Sequence, residues 1–302
     1  MNESVLIVGA GSGLSASLAR LCASKDMKVV LAARNIEKLQ SLKEEINVQT
    51  FKCDSSNIES VSNLFRETDK TIGTPNLVIY NSSARFKGSI TELDPKKTRE
   101  AINVTCFGAF LVAQEASKRM LKRKSGSIFF TGASASVKGF ANSSVFAMGK
   151  FGLRGLAQSL ARELHPQNIH IGHFIIDGAI GREPFGTYET INPDSIAKMY
   201  LEFHNQDKSA WSWEIELRTS VEKFWFILKT GKGAFRLPGA INPTPPKLEA
   251  VYMKEWYLNQ ERKNIMSQRY SGKSRKDSST MKKAKLSIKE KRKIKRENKK
   301  KW

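Results

Sequence analysis

The most constraining feature of this chain is its first turn. Ser4-Val5-Leu6-Ile7-Val8 is an apolar, β-branched run that stops at Gly9, and Gly9-Ala10-Gly11-Ser12-Gly13 leads into Leu14, Leu18, Leu21 and Cys22 at helical spacing. A continuous apolar run bounded by glycine reads as a strand buried on both faces. Glycines between such a strand and a helix permit a tight turn and close approach of the backbone to a pyrophosphate, which the free N–H groups and positive dipole end of the helix then hold. Placed after the first strand, the turn reads as a dinucleotide site formed by Gly9, Ser12, Gly13 and Leu14.

The alternation continues. Lys28–Ala33, Val48–Cys53, Leu77–Tyr80, Ser127–Thr131 and Ile169–Ile176 read as strands, with helices expected over 13–25, Asn35–Ile46, Ile58–Thr71, 95–123 and 143–164. A shorter helix opens at Pro193 behind an Asn192 cap, and the alternating Trp211–Leu217 is expected to close the sheet. Repeated β-α-β units predict a Rossmann-like doubly wound α/β fold, a parallel sheet with helices on both faces. Its ligand lies beyond the carboxyl ends of the strands at the switch point.

Beyond the second strand the residues are Ala33 and Arg34, where NAD binders often carry a carboxylate for the ribose 2′-hydroxyl. A cation in that place favours the 2′-phosphate of NADP, with NAD the weaker alternative.

Several motifs, in order, resemble those of the short-chain dehydrogenase/reductase family over residues 4 to about 220. Gly9-x-x-x-Gly13-Leu14-Ser15 is similar to the family's glycine turn, with Ser15 in place of the last glycine. Asp54 resembles its adenine-contacting aspartate, Asn81 its turn asparagine after the fourth strand, and Asn103 its proton-relay asparagine. Phe146-Ala-Met-Gly-Lys150 stands where the family has Tyr-x-x-x-Lys, and Asp177-Gly178-Ala179-Ile180 where it meets the nicotinamide carboxamide. The resemblance implies hydride transfer between NADP(H) and a small carbonyl or alcohol substrate, and assembly as a homodimer or homotetramer. Helices 95–123 and 143–164 would then offer Phe107, Phe110, Phe151 and Leu153 to a second copy, although ordinary core packing explains these residues as well.

The catalytic pattern has one gap. A tyrosine with lysine one helical turn later serves as acid or base because the lysine lowers its pKa. Phe146 cannot transfer a proton, and none of the chain's six tyrosines has lysine four residues on. The family's serine spacing falls on Ala133, so Ser134 is the candidate beside the substrate. Lys150 retains its expected role at the nicotinamide ribose. His165, His170 and His173 lack the spacing of a helical metal pair, so no metal is expected. Two readings stand: an oxidoreductase whose proton comes from water, Ser134 or the substrate, and a catalytically silent NADP(H)-binding sensor or structural subunit. Arg182, Glu183, Phe185 and Tyr188 are expected to shape a polar-aromatic lid.

Charge separates the rest of the chain from this body. Residues 1–226 carry 28 Lys+Arg and 23 Asp+Glu, a net +5, whereas 227–302 carry 23 and 6, a net +17 of the total +22. Residues 227–270 are expected to be a linker followed by a helix, and 271–302 a lysine-rich disordered tail. Such a tail attracts polyanions such as RNA through counterion release, which makes a nucleic-acid-binding protein a third reading. No apolar run is long enough to span a bilayer. Three cysteines and the absence of a positively charged leader point to the cytoplasm.

Overall fold

The computed structural model describes residues 3–184 and 189–221, with the backbone of 225–230 and 233–238. The chain divides into two units, Met1–Glu222 and Lys223–Trp302.

In the first unit the strands are β1 (Ser4–Val8), β2 (Lys28–Ala33), β3 (Gln49–Lys52), β4 (Leu77–Tyr80), β5 (Gly126–Thr131), β6 (Ile169–Asp177), and the short pair β7 (Ala179–Ile180) and β8 (Thr190–Ile191). The last is β9 (Glu214–Arg218). Helices are α1 (Leu14–Ala23), α2 (Gln40–Ile46), α3 (Ile58–Ile72), α4 (Pro95–Ile102), α5 (Gly108–Arg123), α6 (Ser144–Leu164) and α7 (Pro193–His204). Seven strands form one parallel sheet in the order β3-β2-β1-β4-β5-β6-β9.

Every residue of β1 is buried, because successive side chains enter opposite layers. Leu6 and Val8 pack with Leu64 and Phe65 of α3, Val112 of α5 and Leu153 of α6. Val5 and Ile7 pack with Leu14 and Leu18 of α1, Leu42 of α2 and Tyr200 of α7. The cap read from sequence forms: the Asn192 side chain accepts the Asp194 N–H at 2.8 Å. At α3 the Asn57 side chain likewise accepts the Ser60 N–H at 2.8 Å.

Three expectations are corrected, and one open alternative is decided at Leu153. The helix expected over 95–123 is interrupted by one π-helical turn, Asn103–Phe107, where the Gly108 N–H reaches the Asn103 carbonyl. The closing strand begins at Glu214 rather than Trp211, whose indole N–H is held by the Gln206 carbonyl at 3.0 Å. Leu153 is fully buried in the core and presents nothing to a second copy, whereas Phe107, Phe110 and Phe151 are 40–45% exposed. Finally, the turn-rich stretch from 227 was expected to be a linker. Its backbone instead pairs β10 (Trp225–Thr230) with β11 (Gly233–Pro238), antiparallel, across a two-residue connection. The rest of the 227–270 segment, the basic tail, and Phe185 and Tyr188 lie outside the described residues.

Gly108 sets how closely α5 approaches the sheet. A Cβ there would lie 2.5 Å from the Tyr80 hydroxyl and 2.6 Å from the Ser55 carbonyl oxygen. Gly108→Ala is therefore expected to cost about 1–3 kcal/mol through overpacking. A lowered urea midpoint at unchanged slope would register it; an unchanged midpoint would refute this account of the approach.

Candidate active site

The carboxyl ends of β1 and β4 open onto a cleft of about 280 Å³ lined by residues that include Gly9, Ala33, Arg34, Lys38, Asn81 and Ser82. Gly9 has φ +88°, and a Cβ there would meet the Ser82 Cα at 2.7 Å, so the turn requires glycine on both counts. The turn is also pinned from within. The Asn81 backbone N–H donates to the Val8 carbonyl at 2.8 Å, its side-chain amide to Ser15 Oγ at 2.7 Å, and Ser15 Oγ to the Gly9 carbonyl at 3.2 Å. Ser15, which replaces a glycine of the family turn, thus supplies a tie that glycine cannot.

These residues fit a dinucleotide. Cβ positions built on Gly11 and Gly13 meet nothing within 4 Å, so open space lies over the turn where α1 presents its N-terminus. Ser12 is exposed beside it, while Leu14 is buried as the first core residue of α1. Arg34 and Lys38 place two cations in the cleft wall beyond β2, Lys38 in addition to the Arg34 expected from the sequence.

Asp54 is exposed beyond β3, between Cys53 and Ser55, which do line the cleft. Its carboxylate accepts the Ser56 hydroxyl at 2.7 Å and the Ser56 N–H at 3.0 Å. The Ser56 hydroxyl does most to hold its pKa below the ordinary value. Ile180 lies in β7, 40% exposed. Asn103 opens the π-helical turn and holds it through its carbonyl.

The catalytic pattern takes an unusual form. Lys150 is 3% exposed, and its ammonium donates to the Thr131 carbonyl at the end of β5 at 2.6 Å. It is therefore no solvated surface lysine. Burial, and secondarily the charge of Arg85, bring its pKa down to about 7. Both cations lie over Phe146: Lys150 Nζ is 5.8 Å from the ring centroid and Arg85 Cζ is 5.4 Å. Arg85 lies 61 positions before Phe146, so no sequence spacing links the two.

Ser134 begins a 3₁₀ turn, Ser134–Ser136, and is half-buried. Its neighbour Ser136 is fully buried and accepts the Ala133 N–H at 3.1 Å. Ser136 Oγ also lies 3.4 Å from His173 Nε2, while His173 Nδ1 lies 2.9 Å from Glu214, itself held by Arg154 at 2.6 Å. Burial lowers the pKa of His173 to about 4, so the ring is neutral near pH 7. Glu214 can only accept, which places the imidazole proton on Nδ1 and leaves Nε2 to accept from Ser136.

This fold and crevice define a nucleotide-binding α/β protein with its site at a switch point. The sequence profile described as short chain dehydrogenase matches residues 3–178. An uncharacterized oxidoreductase of Staphylococcus aureus (strain USA300) is 28% identical over 223 residues, covering 70% of this chain and 95% of that protein. The 3-oxoacyl-(acyl-carrier-protein) reductase of Bos taurus is 24% identical over 173 residues, 57% of this chain and 73% of that protein. A crystal structure of a short-chain dehydrogenase from Rhodopseudomonas palustris aligns with a TM-score of 0.65 and 33% identity, over 72% of this chain and 99% of that one. A metagenomic short-chain oxidoreductase in complex with NADP shares the fold, with a TM-score of 0.65 at 22% identity over 73% of this chain and 98% of that one. The chain belongs to the short-chain dehydrogenase family, whose members bind NAD(P).

The depressed pKa of Lys150 has a thermodynamic consequence. Between about 7 and the ordinary lysine value of 10.5 the unfolded chain holds a proton that the folded chain has lost. Stability therefore rises with pH across this window. Lys150→Met should be more heat-stable than the parent at pH 7, with the gap in Tm closing toward pH 10. A gap independent of pH would show that Lys150 stays charged in the fold.

Proposed function

We propose that this chain is an NADP(H)-dependent oxidoreductase that interconverts a carbonyl and an alcohol, with Lys150 holding the proton that a tyrosine carries elsewhere in the family. The observation that carries this reading is the buried Lys150 ammonium, one helical turn after Phe146, with a pKa of about 7. A group that titrates near the working pH is suited to both giving and taking a proton. NADPH, when bound, supplies hydride to the carbonyl carbon. The substrate oxygen takes its proton from the Lys150 ammonium through water or the Ser134 hydroxyl, and Thr131 keeps that ammonium in place. Asn103 supports the relay from the π-helical turn. Arg34, with Lys38, recognises the 2′-phosphate, while Asp54 and Asn81 border the adenosine and Ile180 the carboxamide.

The missing phenol at Phe146 favours a second reading, a silent NADP(H)-binding protein. NADPH oxidation against a panel of aldehydes and ketones separates the two. Lys150→Met should lower turnover by about 10²-fold or more, and Phe146→Tyr should raise it. Cofactor binding with no turnover across the panel favours the silent protein.

Arg34→Ala should weaken NADPH by about tenfold, the scale of one charge-assisted contact, and leave NADH nearly unchanged. Fluorescence titration of each reduced cofactor measures this, and equal weakening would remove Arg34 from the phosphate. The exposed Phe107, Phe110 and Phe151 fit a homodimeric or homotetrameric face. We further propose a cytoplasmic protein whose residues 271–302 contact polyanions. Among the described residues no helix is long and apolar enough to cross a membrane.

A further inference from the structure

Among the described residues, no carboxylate pairs with the cations near Phe146. Arg85 is exposed, beyond β4, and makes no hydrogen bond or ion pair among the described residues. Lys150 is bonded only to a neutral carbonyl. Asp177, at the end of β6, is paired with Lys138 at 3.0 Å and Arg218 at 3.2 Å, and Glu214 with Arg154 and His173. Two positive charges therefore share one ring with no counter-charge among the described residues, and the guanidinium disfavours the charged form of Lys150. The ring's negative face offsets part of that repulsion. An anion placed against the guanidinium would offset more.

The cofactor's own anionic groups have other places. Its pyrophosphate belongs over Gly11 and Gly13, and a 2′-phosphate belongs with Arg34 and Lys38. Arg85 follows the other side of the crevice and stands with Phe146 and Lys150 at the catalytic position. What remains for it to meet is the substrate.

We infer that the substrate is a carbonyl compound bearing a carboxylate, and that the Arg85 guanidinium, lying over the Phe146 ring, binds that carboxylate. A planar guanidinium matches a carboxylate with two parallel N–H···O bonds, and the ring beneath it holds the cation in place. Phe146 then serves as a platform for the substrate-binding cation, in the place where a tyrosine would serve as an acid. This assignment rests on the oxidoreductase reading for its reaction, but binding alone tests it. In the reductive direction the hydride adds to the carbonyl carbon, the C=O π bond breaks, and the oxygen takes the Lys150 proton. NADPH is oxidised, the oxo acid becomes a hydroxy acid, and the carboxylate is unchanged.

Calorimetric titration of the full-length protein, saturated with NADP⁺, measures the recognition directly. The probes are acetoacetate and 2-oxobutyrate, each against its methyl ester. At least one acid should bind ten- to a hundredfold more tightly than its ester, the range expected for a hydrogen-bonded charge pair. Arg85→Gln should remove that difference, and Arg85→Lys should restore part of it. Arg85 is exposed, so these variants should fold, and unchanged NADPH affinity confirms that the crevice is intact. Acids and esters binding alike, or a preference that survives Arg85→Gln, would overturn the assignment. If neutral ketones are reduced with no preference for acids, the carboxylate inference fails and the oxidoreductase reading stands. If acids bind through Arg85 but neither acids nor ketones are reduced, the converse holds.

Discussion

The whole arrangement depends on β1 being hydrogen-bonded along both edges and covered on both faces. Val5 pairs with Val29 of β2 on one side and Leu77 of β4 on the other. From Val8 the chain turns into α1 on one layer, while the connection after β4 leads to α5 on the other. The two departures leave a crevice that no side chain of the sheet fills, and parallel sheets place their ligands there. Closeness at this point explains Gly9 and Gly108 together. One lets the Ser82 backbone pass the first turn, and the other lets α5 approach Tyr80 and Ser55.

The elements that the sequence revealed best are those whose burial pattern is complete. All five residues of β1 are apolar or small, and the adjoining glycines identify both the strand and its turn. A helical stripe is less informative, since it identifies an apolar face but not what covers it. Leu153 and Phe151 lie two positions apart on α6, yet one enters the core and the other faces outward. The π-helical turn is illegible for a related reason. A single extra residue in a helix leaves the spacing nearly unchanged, and only Gly108 hints at close packing. Over 231–239, glycines and a proline suggest a linker, while Trp-Phe-Ile-Leu at 225–228 and Ala-Phe-Arg-Leu at 234–237 carry the strand signal.

At the site, residue types were legible and their partners were not. The spacing from position 146 points to Lys150, but its burial and its bond to Thr131 arise from how α6 packs across β6 and the turn after β5. Arg85 reaches Phe146 across two loops, so no local spacing links them. The Ser136–His173–Glu214 chain has the order of a hydrolytic triad, yet all of Ser136 and His173 is sealed from solvent. No acyl substrate can reach that hydroxyl. Its role follows from what it bonds: Ser136 fixes the Ala133 N–H, and thus the loop between Thr131 and Ser134. A buried polar chain of this sort is tolerable because each member has a partner.

The substitution at position 146 also changes the physics of Lys150. Beside a tyrosine, the lysine's charge stabilises a phenolate, and the phenolate in turn stabilises the ammonium. Phenylalanine removes that anion. Its ring quadrupole is a weaker partner, and the second cation, Arg85, lies near the same ring. The desolvation of Lys150 is then opposed by little more than one carbonyl, and the ammonium becomes acidic enough to lose its proton near neutrality. On the proposed reading, the absence of a phenol at position 146 leaves Lys150 itself as the group that can give a proton. A bound carboxylate at Arg85 would partly restore the missing negative charge and retain the Lys150 proton until the substrate oxygen needs it. Recognition of the substrate and storage of the proton are, on this account, two effects of the same uncompensated positive charge.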